Sequence, residues 1–436
     1  MQDLSSARAL VNDWMREHGA SFSVIRQGSR QTADAPFDPI PRILSAADFT
    51  MLERGLIQRV SAMNLFLSDI YGHRMILRDG VIPEEFVFSS PDFRPECMNL
   101  RPVKDIYTHI TATDLIHTAD GKWYVMEDSL VYPAGITYPH FSRKLLRERF
   151  PEDYRVSGLC DNCGLDILLR QLYRDVMEGN SALEDGIVVL LRCSADPEMD
   201  FEIRYMAQLT GAVAALPDEL IVMDNKVYYR SPIGGFRRVA ILHRALWDRD
   251  LDPMCFDETY GGIPHLMEVY SAGNIAILNA PGCALGEDRG LLPFVPDMIR
   301  YYLDEEPLLL GVPSYLPWYE DQRAYILSHM DQMFFKDVAS NRRTAAIRGS
   351  SLTPEQRTRL AAEIEADPRR FLAQEVLRSE QEPVFSAGNS LHRCDLRLYT
   401  VHSDSIRVWM GGLSRFVVHG EDSADAGFKD TWVMAE

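Results

Sequence analysis

The chain has 436 residues, 64 acidic against 45 basic, and a net charge of −19. That balance argues against a nucleic-acid or anionic-membrane surface as its main partner. With 46% apolar and 25% charged residues it has the composition of an ordinary globular protein, and its length implies two or three lobes rather than one core. Met1-Gln-Asp-Leu-Ser-Ser6 is polar rather than a secretory signal, and no apolar run nears the ~20 residues of a membrane span. The expected compartment is the cytoplasm. Seven scattered cysteines suit reduced thiols better than a disulfide framework.

Residues 1–100 are predicted to be a mainly helical segment, because Leu4, Ala7, Leu10, Val11 and Trp14 recur at helical spacing and Phe49–Tyr71 carries a second stripe. Residues 101–180 begin with a hairpin. A strand carries Asp114, Asp120-Gly121 turns, and a strand Trp123–Met126 brings Glu127 back alongside. Two carboxylates at adjacent strand ends suit a hard cation such as Mg²⁺, which is commonly held by one or two carboxylates plus substrate phosphates. On these residues alone, two ordinary solvated acids explain the pattern equally simply. Cys160-Asp-Asn-Cys163 has the spacing of a redox or metal pair, but no second pair completes a zinc site, so incidental thiols are the default.

Residues 181–290 change rhythm. Gly186–Leu191, Glu219–Met223, Val239–His243 and Asn274–Asn279 read as strands, with a helix over Phe201–Gly211 between the first two. That alternation marks an α/β sheet. No Gly-x-Gly-x-x-Gly occurs here, so a dinucleotide site is not expected. Residues 291–436 read as α+β: a strand Met333–Val338, a helix Pro354–Ala366, a strand Phe371–Leu377, then a meander over Leu396–Val401, Ile406–Met410 and Leu413–His419.

Several segments resemble one family. They are Gln58–Gly72, Glu127-Asp-Ser-Leu-Val-Tyr-Pro-Ala-Gly135, Ala272–Ala280, Leu292–Leu303, Cys394-Asp-Leu-Arg397, Gly411-Gly-Leu-Ser-Arg415 and Lys429-Asp-Thr-Trp-Val433. Together they are similar to the circularly permuted ATP-grasp family (type 2), which includes relatives of glutathionylspermidine synthase. In an ordinary ATP-grasp chain the metal-binding segment comes last, whereas here it precedes the nucleotide-binding parts. The resemblance implies α/β and α+β lobes, with residues 181–290 as the Rossmann-like lobe and 291–436 as the nucleotide-binding lobes.

It also implies roles. Asp114, Glu127 and Ser129 would hold Mg²⁺, with Ser129 standing where the family has Asn. Lys336 and Arg397 would contact the ATP phosphates, as would Arg289, which replaces the family's Lys. Gln374, Glu375 and Leu377 match the hinge that reads adenine, Arg415 the residue that stabilises the acyl-phosphate transition state, and Lys429 a residue facing the cleft. The family's glycine-rich phosphate loop is replaced by Ala339-Ser-Asn-Arg-Arg-Thr-Ala-Ala346. Either Arg342 and Arg343 bind phosphate through their side chains, or the loop has lost its role.

The implied activity is ATP- and Mg²⁺-dependent ligation of a small-molecule or peptide carboxylate to an amine. The rival reading is a catalytically degenerate paralogue, a binding subunit in a homo-oligomer or beside a partner ligase. On the ligase reading, changing both Arg342 and Arg343 to Ala abolishes ATP-dependent turnover, since each charge-assisted phosphate contact is worth about 1.5–3 kcal/mol. The ligand-free melting temperature stays nearly unchanged, because a polar loop carries little packing. A double variant with wild-type turnover would make the loop a bystander.

Overall fold

The computed structural model describes residues 3–20, 22–26, 29–33, 37–155, 158–161, 164–193, 197–256, 261–338, 346–385, 388–417 and 426–435. Its centre is an eight-stranded sheet. From one edge to the other run Leu310–Gly311, Trp123–Ser129, Ile110–His117, Ser390–His402, Ile406–Val417, Ala426–Val433 and Phe37–Leu44, with Gln381–Val384 added beside Ser390–His402. The two outermost pairs of that path are parallel and the others antiparallel. Strands from the first and last thirds of the chain are thus interleaved.

Alternation along these strands sends side chains to opposite faces. Ile110, Ala112, Tyr399, Val401 and Leu413 join one buried cluster, and Leu115, Val125, Leu396 and Leu398 another. The second cluster is completed by the helix Ala46–Ile70. Ser45 caps it, its hydroxyl accepting from Asp48 N–H at 3.0 Å, and Phe49, Leu52 and Leu56 form its buried stripe. Further along the same helix, the Asn64 side-chain carbonyl accepts from the N–H groups of Tyr107 and Thr108, both at 3.0 Å. That contact anchors the entry of the strand carrying Asp114.

The predicted α/β lobe is present. Val213–Ala215, Ile187–Leu191, Phe236–Arg244 and Ala276–Leu278 form a parallel array in that order. Lys226–Arg230 and Leu220–Met223 extend it antiparallel. The helices Leu165–Met177 and Pro197–Thr210 pack against it. Asn279, just past the last parallel strand, ties this lobe to the central sheet. Its carbonyl accepts from His109 N–H at 2.7 Å and Ile110 N–H at 2.9 Å, and its amide donates to the carbonyls of Ile110 and Leu130, both at 2.6 Å.

A third, four-stranded sheet has the order Ser314–Tyr315, Phe371–Glu375, Met333–Asp337, Ile347–Arg348. The helices Glu320–Ser328 and Pro354–Ala366 cover one face, burying Ile326, Phe335, Leu360, Ile364 and Phe371. The other face looks toward the central sheet.

Two expectations differ from what is found. The segment expected to be mainly helical contains the strand Phe37–Leu44, in which Pro39 and Pro41 mask the β pattern. It ends the strand path at an edge, where proline is tolerated. The meander is also built differently. Ile406–Val417 is one continuous strand through Gly411-Gly412, and its third member is Ala426–Val433; His419 lies outside the described residues.

Asn279→Ala removes four hydrogen bonds from a buried position and takes the acceptor from two buried N–H groups, while the Leu130 carbonyl keeps the Cys283 thiol at 3.4 Å. A loss of roughly 2–4 kcal/mol is expected, read as a lower urea midpoint with an unchanged m-value. A midpoint equal to wild type would show that the lobes are tied elsewhere.

Candidate active site between two sheets

Register assembles the site. On the central sheet Asp114 lies opposite Glu127 on one side and Arg397 on the other, and Asp395 lies opposite Arg415. Directly opposed residues share a face. Arg397 grips Asp114 with both ends of its fork, Nε to Oδ1 and Nη2 to Oδ2, each at 2.7 Å. Arg415 reaches the same carboxylate at 3.0 Å and pairs bidentately with Asp395 at 3.0 and 2.7 Å. Burial alone would push the Asp114 carboxyl up, but the two guanidiniums outweigh it and hold that carboxyl well below the usual range. Conversely, burial opposes the charge on Arg415, and Asp114 and Asp395 reverse this.

Glu127 faces a second pair of cations. Arg289 Nε donates to its Oε1 at 2.9 Å, and Lys336 Nζ stands 3.6 Å from its Oε2. Lys336 comes from the strand Met333–Asp337 of the four-stranded sheet, so this ion pair bridges the two sheets. Burial lowers the ammonium's affinity for its proton; Arg289 adds to that effect and Glu127 opposes it. Around this junction four cations (Arg289, Lys336, Arg397, Arg415) face three carboxylates (Asp114, Glu127, Asp395). Two further buried acids, Glu287 and Asp288, lie beside Glu127 and Arg289.

The intervening acid, Asp128, turns the other way. Arg59 of the long helix holds it from Nε at 3.0 Å and from Nη2 at 2.6 Å, and the Thr113 hydroxyl donates to it at 3.0 Å. This buried pair fixes the alternation that sends Glu127 toward the cleft. Arg59 escaped the sequence reading, although it stands inside the Gln58–Gly72 segment. Ser129 Oγ lies 3.5 Å from the Tyr132 carbonyl.

The remaining predicted residues are distributed as follows. Gln374 is buried on the same face as Lys336, its amide donating to Ser314 Oγ at 3.0 Å, while Glu375 accepts from the Tyr315 hydroxyl at 2.7 Å. Leu377 is half-buried just past that strand. Arg342 and Arg343, with most of the atypical loop, lie outside the described residues, as does Cys163. Lys429 is not part of the junction. It pairs with Ser414 and so lies on the opposite face from Arg415. There it is fully buried, donating to the Pro383 carbonyl at 2.6 Å and standing 3.9 Å from both Asp38 and Glu382.

The donor set fits Mg²⁺ in part. Among the described residues no group of three His, Cys, Asp or Glu side chains converges. Glu127 suits a cation shared with phosphate oxygens, whereas both oxygens of Asp114 are engaged by guanidiniums.

Behind the hairpin, Glu202 is an unforeseen buried acid. Its oxygens accept from Gly135 N–H at 2.7 and 2.9 Å and from the Thr137 hydroxyl at 2.9 Å. Gly135 has φ +103°, and a Cβ there would lie 2.6 Å from Leu413 and 2.8 Å from the Tyr399 hydroxyl, so glycine is required. The turn it makes presents the Ala134 carbonyl to Arg397 at 3.0 Å.

A small sheet meets a larger one here, and cations from both face carboxylates between them. The chain belongs to the circularly permuted ATP-grasp type 2 family, whose profile matches residues 41–417. It is 35% identical over 425 residues to an uncharacterized Synechocystis protein (95% of this chain, 88% of that one). It is 33% identical over 426 residues to a putative glutamate–cysteine ligase of Frankia alni, covering 96% of this chain but 49% of that one. A glutathione synthetase-like effector from Globodera pallida superposes with a TM-score of 0.57 at 11% identity, over 98% of this chain and 96% of that one, a likeness of fold. The class is therefore that of a circularly permuted ATP-grasp protein. No helix among the described residues is long and apolar enough to cross a membrane.

Burial raises the Glu202 carboxyl to about 7, with Glu198 adding to the rise and the Gly135 and Thr137 donors opposing it. A raised carboxyl binds its proton more tightly in the folded chain than in the unfolded one. Its stabilisation is complete below the ordinary carboxylate value and is lost as pH climbs toward 7. Glu202→Gln should therefore flatten the fall in stability between pH 5 and pH 7.5, by up to about 3 kcal/mol. Parallel wild-type and variant curves of ΔG against pH would refute that assignment.

Proposed function

We propose that this protein is an ATP- and Mg²⁺-dependent carboxylate–amine ligase acting on a small-molecule or peptide carboxylate. The observation that carries the proposal is the row Asp114, Glu127, Arg397, Arg415 on the central sheet, met by Lys336 from the four-stranded sheet. Family membership and the name of the Frankia relative support the same reading.

Lys336, Arg289 and Arg397 bind and orient the phosphates, and the face carrying Gln374, with the segment through Leu377, receives the base. Glu127, with Asp114 as a second carboxylate, would hold Mg²⁺, which would supply charge neutralisation for the phosphates. An oxygen of the substrate carboxylate attacks the γ-phosphorus and the bond to the β-phosphate oxygen breaks, releasing ADP. The amine then attacks the acyl carbon, phosphate leaves, and the amine's proton passes to solvent. Arg415, anchored by Asp395, balances the negative charge that develops during transfer. The chain provides alignment and fixed charge rather than a covalent nucleophile. Lys429, buried on the far face, is assigned a structural place in this scheme.

The second reading, a degenerate paralogue that binds without turnover, is favoured by Ser129 in place of the family's Asn and by the full engagement of Asp114. Titration calorimetry with Mg²⁺ and a non-hydrolysable ATP analogue decides. Glu127→Ala should weaken binding by about tenfold or more, at least ~1.4 kcal/mol. Equal affinity in variant and parent would remove Glu127 from the site. Binding without ADP release against amino-acid, peptide and polyamine pools would select the second reading.

A further inference from the structure

We infer that Arg369 is a positioning residue for this site, fixing from the nucleotide lobe the turn that carries Arg289. The inference rests on the ligase reading for its functional meaning and on geometry for its mechanism. Arg369 lies in the short turn Pro368–Arg370, immediately before the strand Phe371–Glu375. Its guanidinium leaves its own lobe and makes three kinds of contact. Nη2 pairs with Asp288 Oδ2 at 2.5 Å. Nε and Nη2 donate to the Phe86 carbonyl at 3.3 and 3.2 Å, and Nε also to Ser89 Oγ at 3.2 Å. The plane lies over the Phe86 ring, 3.9 Å from its centroid.

Asp288 relays this anchorage. Its side chain is fully buried, and its other oxygen accepts from Gly290 N–H at 2.7 Å. Gly290 is shaped to admit the guanidinium, since a Cβ there would lie 2.8 Å from Arg369 Nη1 and 2.9 Å from Phe86 Cζ. Arg289 therefore sits between two residues that Arg369 holds in place. Its own fork reaches Glu127 at 2.9 Å and, through Nη1, the Asp337 carbonyl at 3.2 Å at the end of the Lys336 strand. Two arginines thus cross the junction in opposite directions, and the aim of Arg289 depends on Arg369. A lysine at 369 keeps the charge opposite Asp288 but lacks the flat fork that stacks on Phe86 while donating sideways.

The test is a double-variant cycle on the full chain, with Mg²⁺ and a non-hydrolysable ATP analogue as probe. Arg369→Ala should weaken binding roughly five- to twentyfold, with Arg369→Lys restoring little of it. Because the effect runs through Arg289, Arg369→Ala combined with Arg289→Ala should bind within about twofold of Arg289→Ala alone. Unchanged affinity in Arg369→Ala, or losses that add, would overturn the inference. A ligand-free readout keeps it separate from the ligase reading. Hydrogen exchange at Gly290 should quicken about tenfold in Arg369→Ala, with Ile187–Leu191 unchanged. Unchanged exchange at Gly290 sinks the positioning role even in a chain that binds nucleotide. A wild type that binds no nucleotide sinks the ligase reading, and the exchange result still decides the role of Arg369 in holding the turn.

Discussion

The shared grip of Arg397 and Arg415 on Asp114 is the interaction on which the rest depends. Two guanidiniums brought together out of water repel, and a carboxylate out of water reverts to its neutral form unless cations hold it. Each side makes the other tolerable. The grip also fixes register, because it joins Ile110–His117 to Ser390–His402 and a one-residue slip would turn Asp114 to the face of Leu115. Glu127, the Ala134 carbonyl and Asp395 take their places from that alignment.

The junction is held together without ligand. Arg289, Lys336, Arg397 and Arg415 interlock with Asp114, Glu127 and Asp395 where two sheets meet. On the proposed function, such a site would exchange partners rather than acquire them. Phosphate oxygens would replace carboxylate oxygens that already hold the arginines in geometry, so little side-chain entropy would remain to be lost. Arg59 holds Asp128 on the opposite face, so that acid does not enter the junction.

Sequence carried the local parts of this picture well. Pro354–Ala366 is found at the predicted residues because Thr353 and Gln356 form a capping box around Pro354, all visible in the text of the chain. The hairpin is where Asp120-Gly121 placed it, with Gly121 at φ +79°. What periodicity could not carry were facts of pairing. Pro39 and Pro41 hid an edge strand, and Gly411-Gly412 read as a break in a strand that runs through it. The side to which Asp128 or Lys429 turns depends on which residue lies opposite, and that partner is far away in sequence. Glu202 gave no signal at all, since one acid on an otherwise ordinary helix does not announce a buried turn elsewhere that needs it.

The interleaving of early and late strands has a consequence for synthesis. Asp114 and Arg397 are separated by 283 positions. At typical elongation rates the ribosome needs roughly 15–60 s to travel between them. Through that interval the hairpin has emerged, but the strand that covers its flank and neutralises its acid does not yet exist. The α/β lobe, whose strands are all contiguous in the chain, can close while the hairpin waits. Permutation therefore orders the nascent chain's events: the middle condenses first, and the central sheet closes only when Ser390–His402 and the strands after it arrive.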